Sequence, residues 1–381
     1  MSTKVLLGGI LGGVLAFCCG VAALEAALPA QERVATGRIY NYECSGAKSA
    51  SVAFNTASDA ADSILLFGSS ELSTTATTIP QVPAAILGGY DYGVDVNYIG
   101  EAFDQSLWHA IAAGAYAPAV QDGKAVIIVS PTWFKDGGMD AETFKLRFSY
   151  SLYREFCNNP NISNGSKSYL AKRLAQLGID DTTINAAGKD TPVDVLNDAV
   201  LAAVDDLSQR KDLEEVRQGG IYYHDKVATS ESPSFDELRQ QAAADAQESS
   251  SNEWGMLDSF YDKYIAPDKE RLKDKQVGET FSDTPEYDDF TFLCKVCREC
   301  GIEPLVIISP VHGDFYDWEG IKASNREACY ERIRTICQKQ GVQYADFSSK
   351  EYEKGFLFDN VHFGWTGWID VEEAIVDYAA K

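Results

Sequence analysis

Three short apolar runs most strongly limit the folds open to this chain. Nearly every side chain in each run is apolar, which is typical of strands that are buried on both faces of a parallel sheet. The runs are Ile64–Phe67, Ala125–Ser130 and Leu305–Ser309. Each is followed by a polar or aromatic loop, and ligand sites in open α/β sheets gather at the carboxyl ends of the strands. The pattern predicts an α/β fold whose sheet has one edge lined for binding, with a short fourth strand within Gly341–Phe347.

The first run ends at a glycine and two serines, Gly68-Ser69-Ser70. We expect a sharp turn there, with Gly68 in a backbone conformation that a larger residue would resist. Ser69 or Ser70 would then cap the helix that Glu71 and Leu72 suggest, beside free N–H groups that can stabilise an oxyanion. An ordinary capping serine and a nucleophile both fit this stretch, so the stretch alone does not decide between them.

An aspartate and a histidine near the other end of the chain supply the base that a nucleophilic serine needs. Asp359 and His362 are three positions apart. Histidine titrates near neutral pH and can accept the hydroxyl proton, and a carboxylate on its other nitrogen fixes the tautomer and stabilises the imidazolium. The pair alone would also fit a surface hydrogen bond or half of a metal site. Taken with the first stretch, it predicts Ser70 as nucleophile, His362 as base and Asp359 as its orienting group.

Five sequence blocks occur in an order that is specific to one family. They are Phe67–Leu72 (FGSSEL), Gln105–His109 (QSLWH), Val129–Phe134 (VSPTWF), Pro304–Val311 (PLVIISPV) and Asp359–Trp368 (DNVHFGWTGW). On these blocks the chain resembles the DltD family of D-alanyl-lipoteichoic acid biosynthesis, within the SGNH (GDSL-like) hydrolase superfamily. The family's serine, histidine and aspartate fall on Ser70, His362 and Asp359.

The resemblance implies a flavodoxin-like, three-layer SGNH fold and a serine acyltransferase that moves D-alanine onto lipoteichoic or teichoic acid outside the cell. Its partners would be the polymer, a membrane-bound O-acyltransferase and the other D-alanylation proteins, and no cofactor or metal is expected. The chain departs from the pattern at the oxyanion donors, because the asparagine-bearing block of the superfamily has no clear counterpart and His312 stands where the family often has asparagine. A hydrolase that releases acyl groups to water, and a non-catalytic scaffold that holds the acyl donor, stay open as alternatives.

The remaining candidates for oxyanion or substrate binding lie in the loops around the same runs. They are Gly100, Gln105, Thr132, Trp133 and His312. We interpret Gly88–Tyr116 as a loop that enters a helix, with Gly100 as a candidate second oxyanion glycine and with Gln105 and His109 on one helix face. These three residues also fit structural roles as a turn, an exposed helix residue and a buried imidazole. The aromatic residues after the strands would equally suit packing of the loops themselves.

An apolar, glycine-rich run at the start of the chain, Val5–Leu28, is long enough to cross a bilayer as a helix. A cleaved signal peptide fits it less well, because a signal peptide has a charged start and a shorter apolar region. Lys4 before the run and Glu25 near its end favour an N-terminus in the cytoplasm and a body outside the cell. We therefore predict a single-pass cell-membrane protein with an anchor at residues 1–28 and an extracellular domain at residues 29–381.

The long stretch between the second and third apolar runs is mostly helical in pattern and strongly charged. Helical periodicity is clearest in Leu170–Leu177, Val193–Leu207 and Phe235–Ala246. We interpret residues 141–290 as a helical insertion that forms a side or lid of the site. Its acidic runs are typical of solvated helix faces.

The formal net charge of −24 limits the classes of partner. Such a charge repels phosphate-rich surfaces, which argues against a nucleic-acid partner and against a broad basic membrane-binding face. It suits a soluble body outside the membrane. A cationic group such as an alanyl ammonium would be attracted by this field.

Three of the nine cysteines have a spacing that resembles a metal site, Cys294, Cys297 and Cys300. A zinc ion or an iron–sulfur cluster would need a fourth ligand at a suitable spacing, and the sequence offers none. The three also share one face of a helical pattern, where buried cysteine acts as a small apolar side chain. We predict that they pack in the core, as do Cys329 and Cys337 on the next helical pattern.

Overall fold

The computed structural model of the chain describes residues 3–31, 40–58, 63–120, 122–219 and 231–381. At its centre is a sheet formed by the parallel strands β1 (Ser63–Phe67), β2 (Asp95–Ile99), β3 (Ala125–Val129), β4 (Leu305–Ile308) and β5 (Gln343–Asp346). They pair in the order β2-β1-β3-β4-β5. This is the strand order of flavodoxin-like doubly wound sheets. The predicted α/β class and parallel sheet are confirmed, and β1, β3, β4 and β5 are the four predicted strands.

Strand β2 corrects the interpretation of Gly88–Tyr116 as a loop that enters a helix. Its sequence carries polar side chains at alternate positions, as a half-exposed strand would, yet the whole strand is buried. The side-chain amide of Asn97 donates to Asn55 Oδ1 at 3.3 Å, and the hydroxyl of Tyr42 donates to the Asp95 carboxylate. Because the Asn97 amide nitrogen and the Asp95 carboxylate are paired inside the protein, β2 can lie in the interior and pair with β1 along its full length.

Helices and single helical turns surround the sheet. In chain order the α-helices are α1 (Thr3–Ala27), α2 (Gly46–Ser49), α3 (Val52–Ser58), α4 (Ser106–Tyr116), α5 (Ala141–Arg147), α6 (Tyr150–Asn158), α7 (Asn164–Gln176), α8 (Asp181–Gly188), α9 (Pro192–Gly219), α10 (Phe235–Ser249), α11 (Asp258–Phe260), α12 (Lys269–Leu272), α13 (Glu286–Glu299), α14 (Gly313–Trp318), α15 (Ala323–Gln340) and α16 (Trp365–Ala379). Turns of 3-10 helix lie at Ser70–Ser73, Ala117–Ala119, Pro131–Phe134, Ala266–Asp268 and Ser348–Lys350, and a π-helical turn lies at Tyr261–Ile265.

The sheet separates two apolar layers, because successive side chains of a strand point to opposite faces. On one face, α4, α13 and α15 pack in the same cluster as Phe67 and Ile127. On the other face, α10 and α16 pack in the same cluster as Leu66 and Val126. This helix–sheet–helix arrangement agrees with the three layers that the sequence predicts.

The chain between β3 and β4 is helical, as its pattern predicts. Helices α7, α9 and α10 cover the three segments with the clearest periodicity, apart from Leu177, which lies just beyond α7. Helix α6 packs against α4 on one side of the sheet, and α10 packs against α16 on the other. The segment therefore contributes to both outer layers, while its description as a separate insertion stays a prediction.

The N-terminal apolar run is helical, since α1 spans Thr3–Ala27. Within the described ranges, no helix combines the length and the apolar character that a membrane span requires. The prediction of a membrane-spanning anchor is therefore not confirmed.

The cysteines of α13 and α15 pack as predicted. Cys294 and Cys297 are buried in the apolar layer under α13, and Cys300 is half-buried at its edge. Cys329 and Cys337 are buried in the same layer. Burial raises the pKa of the Cys297 thiol to about 12, so this sulfur stays protonated and apolar in character at neutral pH.

Candidate active site

The turn after β1 is built on close contact between backbones. The φ of Gly68 is not positive, so its backbone conformation is not what requires a glycine, and the expectation on that point is wrong. A Cβ on Gly68 would lie 2.8 Å from Leu72 Cγ and 2.9 Å from Glu71 Oε1, so glycine is needed for space. Gly100 faces it with φ +126°, and a Cβ there would lie 2.0 Å from the Gly68 carbonyl oxygen. The two glycines let the ends of β1 and β2 meet.

The expected capped helix after Gly68 is one turn of 3-10 helix at Ser70–Ser73. Ser69 is at the N-cap position, but its side chain makes no capping hydrogen bond. Instead, the N–H of Ser69 donates to Glu71 Oε1 at 2.8 Å. The carboxylate of Glu71 therefore closes this turn, and the hydroxyl of Ser70 is left for other contacts.

The three predicted catalytic residues lie together beyond the carboxyl ends of the strands. Ser70 Oγ is 2.7 Å from His362 Nε2, and His362 Nδ1 is 2.6 Å from Asp359 Oδ2. The other carboxylate oxygen of Asp359 accepts the backbone N–H groups of Val361 and His362, both at 2.8 Å. Asp359 is buried, whereas Ser70 and His362 are half-buried. The carboxylate is thus fixed by three hydrogen bonds, and the serine can still be reached from outside.

The surroundings of His362 suit a base. Burial disfavours the imidazolium and by itself would lower the pKa, but the Asp359 carboxylate and its hydrogen bond, together with Glu71, outweigh burial and leave the pKa of His362 raised. Asp359 can only accept a hydrogen bond when it is ionised, so Nδ1 carries the hydrogen of a neutral ring. Nε2 then presents a lone pair to the Ser70 hydroxyl. This is the arrangement that activates a serine nucleophile.

A cavity of about 20 Å³ adjoins these residues. It is lined by Ser70, Glu71, Ile128, Ser130, Thr132, Trp133, Ser309, Val361, His362 and Phe363. Two of the predicted binding residues, Thr132 and Trp133, are therefore brought to the serine. Ser130 and Ser309 reach the cavity from the carboxyl ends of β3 and β4, the edge at which ligands bind in open α/β sheets.

Gly100 and Gln105 do not present the expected groups to this cavity. The N–H of Gly100 donates to Ser49 Oγ at 2.8 Å, so in this conformation it is not available to an oxyanion. Gln105 stands just before α4 and lines a different small cavity, together with Glu286. The geometry therefore gives no support to an oxyanion or substrate role for these two residues.

His312 and His109 are buried, and each bonds a backbone carbonyl through Nε2. His312 Nε2 is 3.1 Å from the Trp254 oxygen, and His109 Nε2 is 3.0 Å from the Gly68 oxygen. A carbonyl only accepts, so both Nε2 atoms carry hydrogen. Burial lowers the pKa of both rings, that of His109 to about 4, which keeps them neutral at pH 7. Neither ring lines the cavity beside Ser70, so the binding role expected for His312 is without support here.

Glu71, Ser130 and Ser309 line the cavity although the sequence interpretation gives them no role in the site. The sequence feature that could have indicated Ser130 and Ser309 is their position, since each directly follows a fully apolar strand of a parallel sheet. Glu71 follows the nucleophile within the same turn. Its inward direction depends on its hydrogen bond to Ser69, which a sequence pattern does not reveal.

Comparison with known proteins places the whole body of the chain in one family. A family model described as DltD protein matches residues 41–380. Protein DltD of Bacillus subtilis (strain 168) is 27% identical over 325 residues, which cover 82% of this chain and 81% of that protein. Protein DltD of Staphylococcus aureus (strain NCTC 8325 / PS 47) is 26% identical, and the match covers 82% of this chain and 80% of that protein. Protein DltD of Lacticaseibacillus rhamnosus is 25% identical, and the match covers 81% of this chain and 75% of that protein. Because the family model spans most of the sequence, we conclude that the chain belongs to the DltD family.

Proposed function

We propose that this protein is a serine acyltransferase that moves D-alanine onto teichoic or lipoteichoic acid. The observation that carries the proposal is the unbroken chain of hydrogen bonds from Ser70 Oγ through His362 to Asp359, with distances of 2.7 and 2.6 Å. Each contact has the length expected between a nucleophile, its base and an orienting carboxylate. The choice of D-alanine and of the polymer rests on membership of the DltD family.

In the first half of the reaction, Ser70 Oγ attacks the carbonyl carbon of a D-alanyl ester or thioester. His362 Nε2 takes the hydroxyl proton, and the imidazolium that forms is stabilised by Asp359. Nε2 then returns this proton to the departing alcohol or thiol. The product is D-alanyl-Ser70, an ester that keeps the acyl group activated for a second transfer.

In the second half, a hydroxyl group of the polymer attacks the carbonyl carbon of D-alanyl-Ser70. His362 Nε2 removes the proton of that hydroxyl and delivers it to Ser70 Oγ as the ester bond breaks. The serine is restored and the polymer carries a new D-alanyl ester. Water in place of the polymer would make the same residues a hydrolase, and analysis of the products distinguishes the two.

The proposal places the body of the protein at the outer face of the cell membrane, beside a membrane-bound O-acyltransferase that would supply the acyl donor. The N-terminal apolar run Val5–Leu28 is the segment that we propose to hold it there. A membrane-impermeant protease applied to intact cells should then digest the body. Full protection of the body would contradict this location.

A fluorophosphonate probe tests the catalytic assignment, because it phosphonylates an activated serine. We expect the full-length protein in detergent to be labelled on Ser70, as identified by mass spectrometry, and Ser70→Ala to abolish both labelling and D-alanylation in cells. Ser69→Ala is the matched control and should have a mild effect, since its hydroxyl makes a long hydrogen bond, 3.4 Å, to the Glu101 carbonyl. If Ser70→Ala retains full D-alanylation, the protein acts as a scaffold.

A further inference from the structure

The cavity beside Ser70 has the size and the lining of a site for a small polar group. Its volume of about 20 Å³ is close to the space of a single water molecule. An ammonium group is nearly the same size as water. A complete aminoacyl group would therefore place one substituent of its α-carbon here, while its carbonyl carbon meets Ser70.

Ser309 marks this cavity as a binding site. The residue is 2% exposed, and its Oγ has no hydrogen-bond partner among the residues that the structure describes. A buried hydroxyl without a partner costs free energy, so a water molecule or a ligand group that enters the cavity and bonds it is stabilised. Across the cavity, the hydroxyls of Ser130 and Thr132 bond each other at 2.9 Å and keep further lone pairs for a donor.

Glu71 supplies the negative charge that a buried cation would need. Glu71 is 6% exposed and lines the cavity, and its carboxylate is held in place by the N–H of Ser69. Burial raises the pKa of Glu71, whereas its bond to Ser69 and the nearby His362 counteract this, and an arriving cation would favour the ionised form further. None of the described residues that line the cavity is a lysine or an arginine.

We infer that this cavity binds the α-ammonium group of an aminoacyl donor, with Ser309 Oγ and the Glu71 carboxylate as acceptors. The α-amino group of an amino acid ester is largely protonated near neutral pH and donates three hydrogen bonds. Ser309, Glu71 and the Ser130–Thr132 pair offer acceptors for those three. The inference rests on the proposed function and assigns recognition of the substrate's α-ammonium group to Ser309 and Glu71.

Two phenyl esters separate the inference from the proposed function. D-Alanine phenyl ester carries the ammonium group, and phenyl isobutyrate replaces it with a methyl group of similar size. For the full-length protein in detergent, we expect kcat/KM, divided by the rate constant for hydroxide hydrolysis of the same ester, to favour the D-alanyl ester by about tenfold or more, because a site built to bond a polar group rejects an analogue without it. Ser309→Ala and Glu71→Gln should each lower this ratio about tenfold.

Ser166→Ala is the control, since it removes an equally buried hydroxyl from α7 and should leave the ratio as in the wild type. Equal kcat/KM for the two esters in the wild type, after division by each ester's rate constant for hydroxide hydrolysis, would overturn the inference. So would an equal loss for both esters in Ser309→Ala, which would indicate an oxyanion or structural role. If Ser309→Ala does not fold, the ratio measured for the nearly isosteric Glu71→Gln decides. Turnover of both esters by Ser70→Ala would instead refute the proposed function.

Discussion

Two loops at the same edge of the sheet each carry a histidine, and the two rings are held by different partners. His362 lies between β5 and α16, and its Nδ1 is bonded to the carboxylate of Asp359. His312 precedes α14, and its Nε2 is bonded to the carbonyl oxygen of Trp254. The carboxylate raises the pKa of His362 against the effect of burial, whereas the pKa of His312 is lowered because burial prevails there.

The comparison shows that the partner of a histidine, rather than its position after a strand, decides what the ring can do. A histidine ring bonded to a carboxylate can accept a proton and later release it, so it can act as a base toward Ser70. A ring bonded to a neutral carbonyl stays uncharged and stabilises the backbone that it contacts. The two loops also touch, since the backbone N–H of His312 donates to the Asn360 oxygen at 3.0 Å. His312 therefore supports the loop that presents Asp359 and His362.

Replacing His362 should have the largest effect. His362→Ala removes the group that we propose as the acceptor of the Ser70 proton and should lower the rate of fluorophosphonate labelling and of ester turnover by roughly 10⁶-fold, as loss of a triad histidine does elsewhere. The fold should be retained, since the ring is half-buried and its backbone contacts stay. A melting curve close to that of the wild type is the control, and near-normal labelling would show that another group activates Ser70.

Asp359→Asn should have a smaller effect on rate, on the order of 10⁴-fold in kcat, because the base remains but its tautomer and its charged form lose their support. It should also change the pH dependence. In the proposed mechanism activity needs neutral His362, and its raised pKa then places the acid limb of kcat/KM above pH 6.5 in the wild type. Without the carboxylate, burial is the main remaining influence and the limb should move to lower pH.

A titration of kcat/KM from pH 5 to pH 9 in both proteins measures this shift. The variant has so low a rate that the pH dependence of probe labelling is the more practical signal. An acid limb that stays in place in Asp359→Asn would mean that a group other than Asp359 sets the pKa of His362. An upward movement would contradict the charge argument altogether, because an amide cannot stabilise the imidazolium as a carboxylate does.

The elements that the sequence predicts well are those with local signals. The apolar runs of β1, β3 and β4 and the spacing of Asp359 and His362 are visible within short stretches of sequence, so the sheet and the proximity of Ser70, His362 and Asp359 could be predicted. Strand β2 could not, because its polar side chains are paired with Tyr42 and Asn55, which are distant in sequence. The same holds for His312, whose partner is the Trp254 carbonyl. A contact between distant segments leaves no periodic pattern in either of them.

His312→Ala should have the smallest effect on catalysis and a clear effect on stability. The substitution leaves the buried Trp254 carbonyl without its donor and should lower the free energy of unfolding by about 1–3 kcal/mol, measured by urea denaturation. Activity should fall less than about tenfold, because the N–H to Asn360 belongs to the backbone and is kept, and the ring does not line the cavity. His312→Asn is the informative control, since an asparagine amide can also donate to a carbonyl and should restore part of the lost stability.

The sign of the pH dependence gives His312 a second signature. The pKa of His312 is lowered in the folded protein. As the pH falls below about 6.5, the unfolded chain therefore binds a proton at His312 that the folded chain does not bind. The free energy of unfolding decreases over this range, down to the folded pKa. His362, with a raised pKa, contributes the opposite trend, a stability that is present below pH 6.5 and lost as the pH rises through its folded pKa. Comparing the wild type with His312→Asn between pH 7 and pH 5 should therefore show a smaller acid loss in the variant. A folded but inactive His312→Ala, beside an active His362→Ala, would reverse the roles of the two loops and require a catalytic set drawn around Pro310–Trp318.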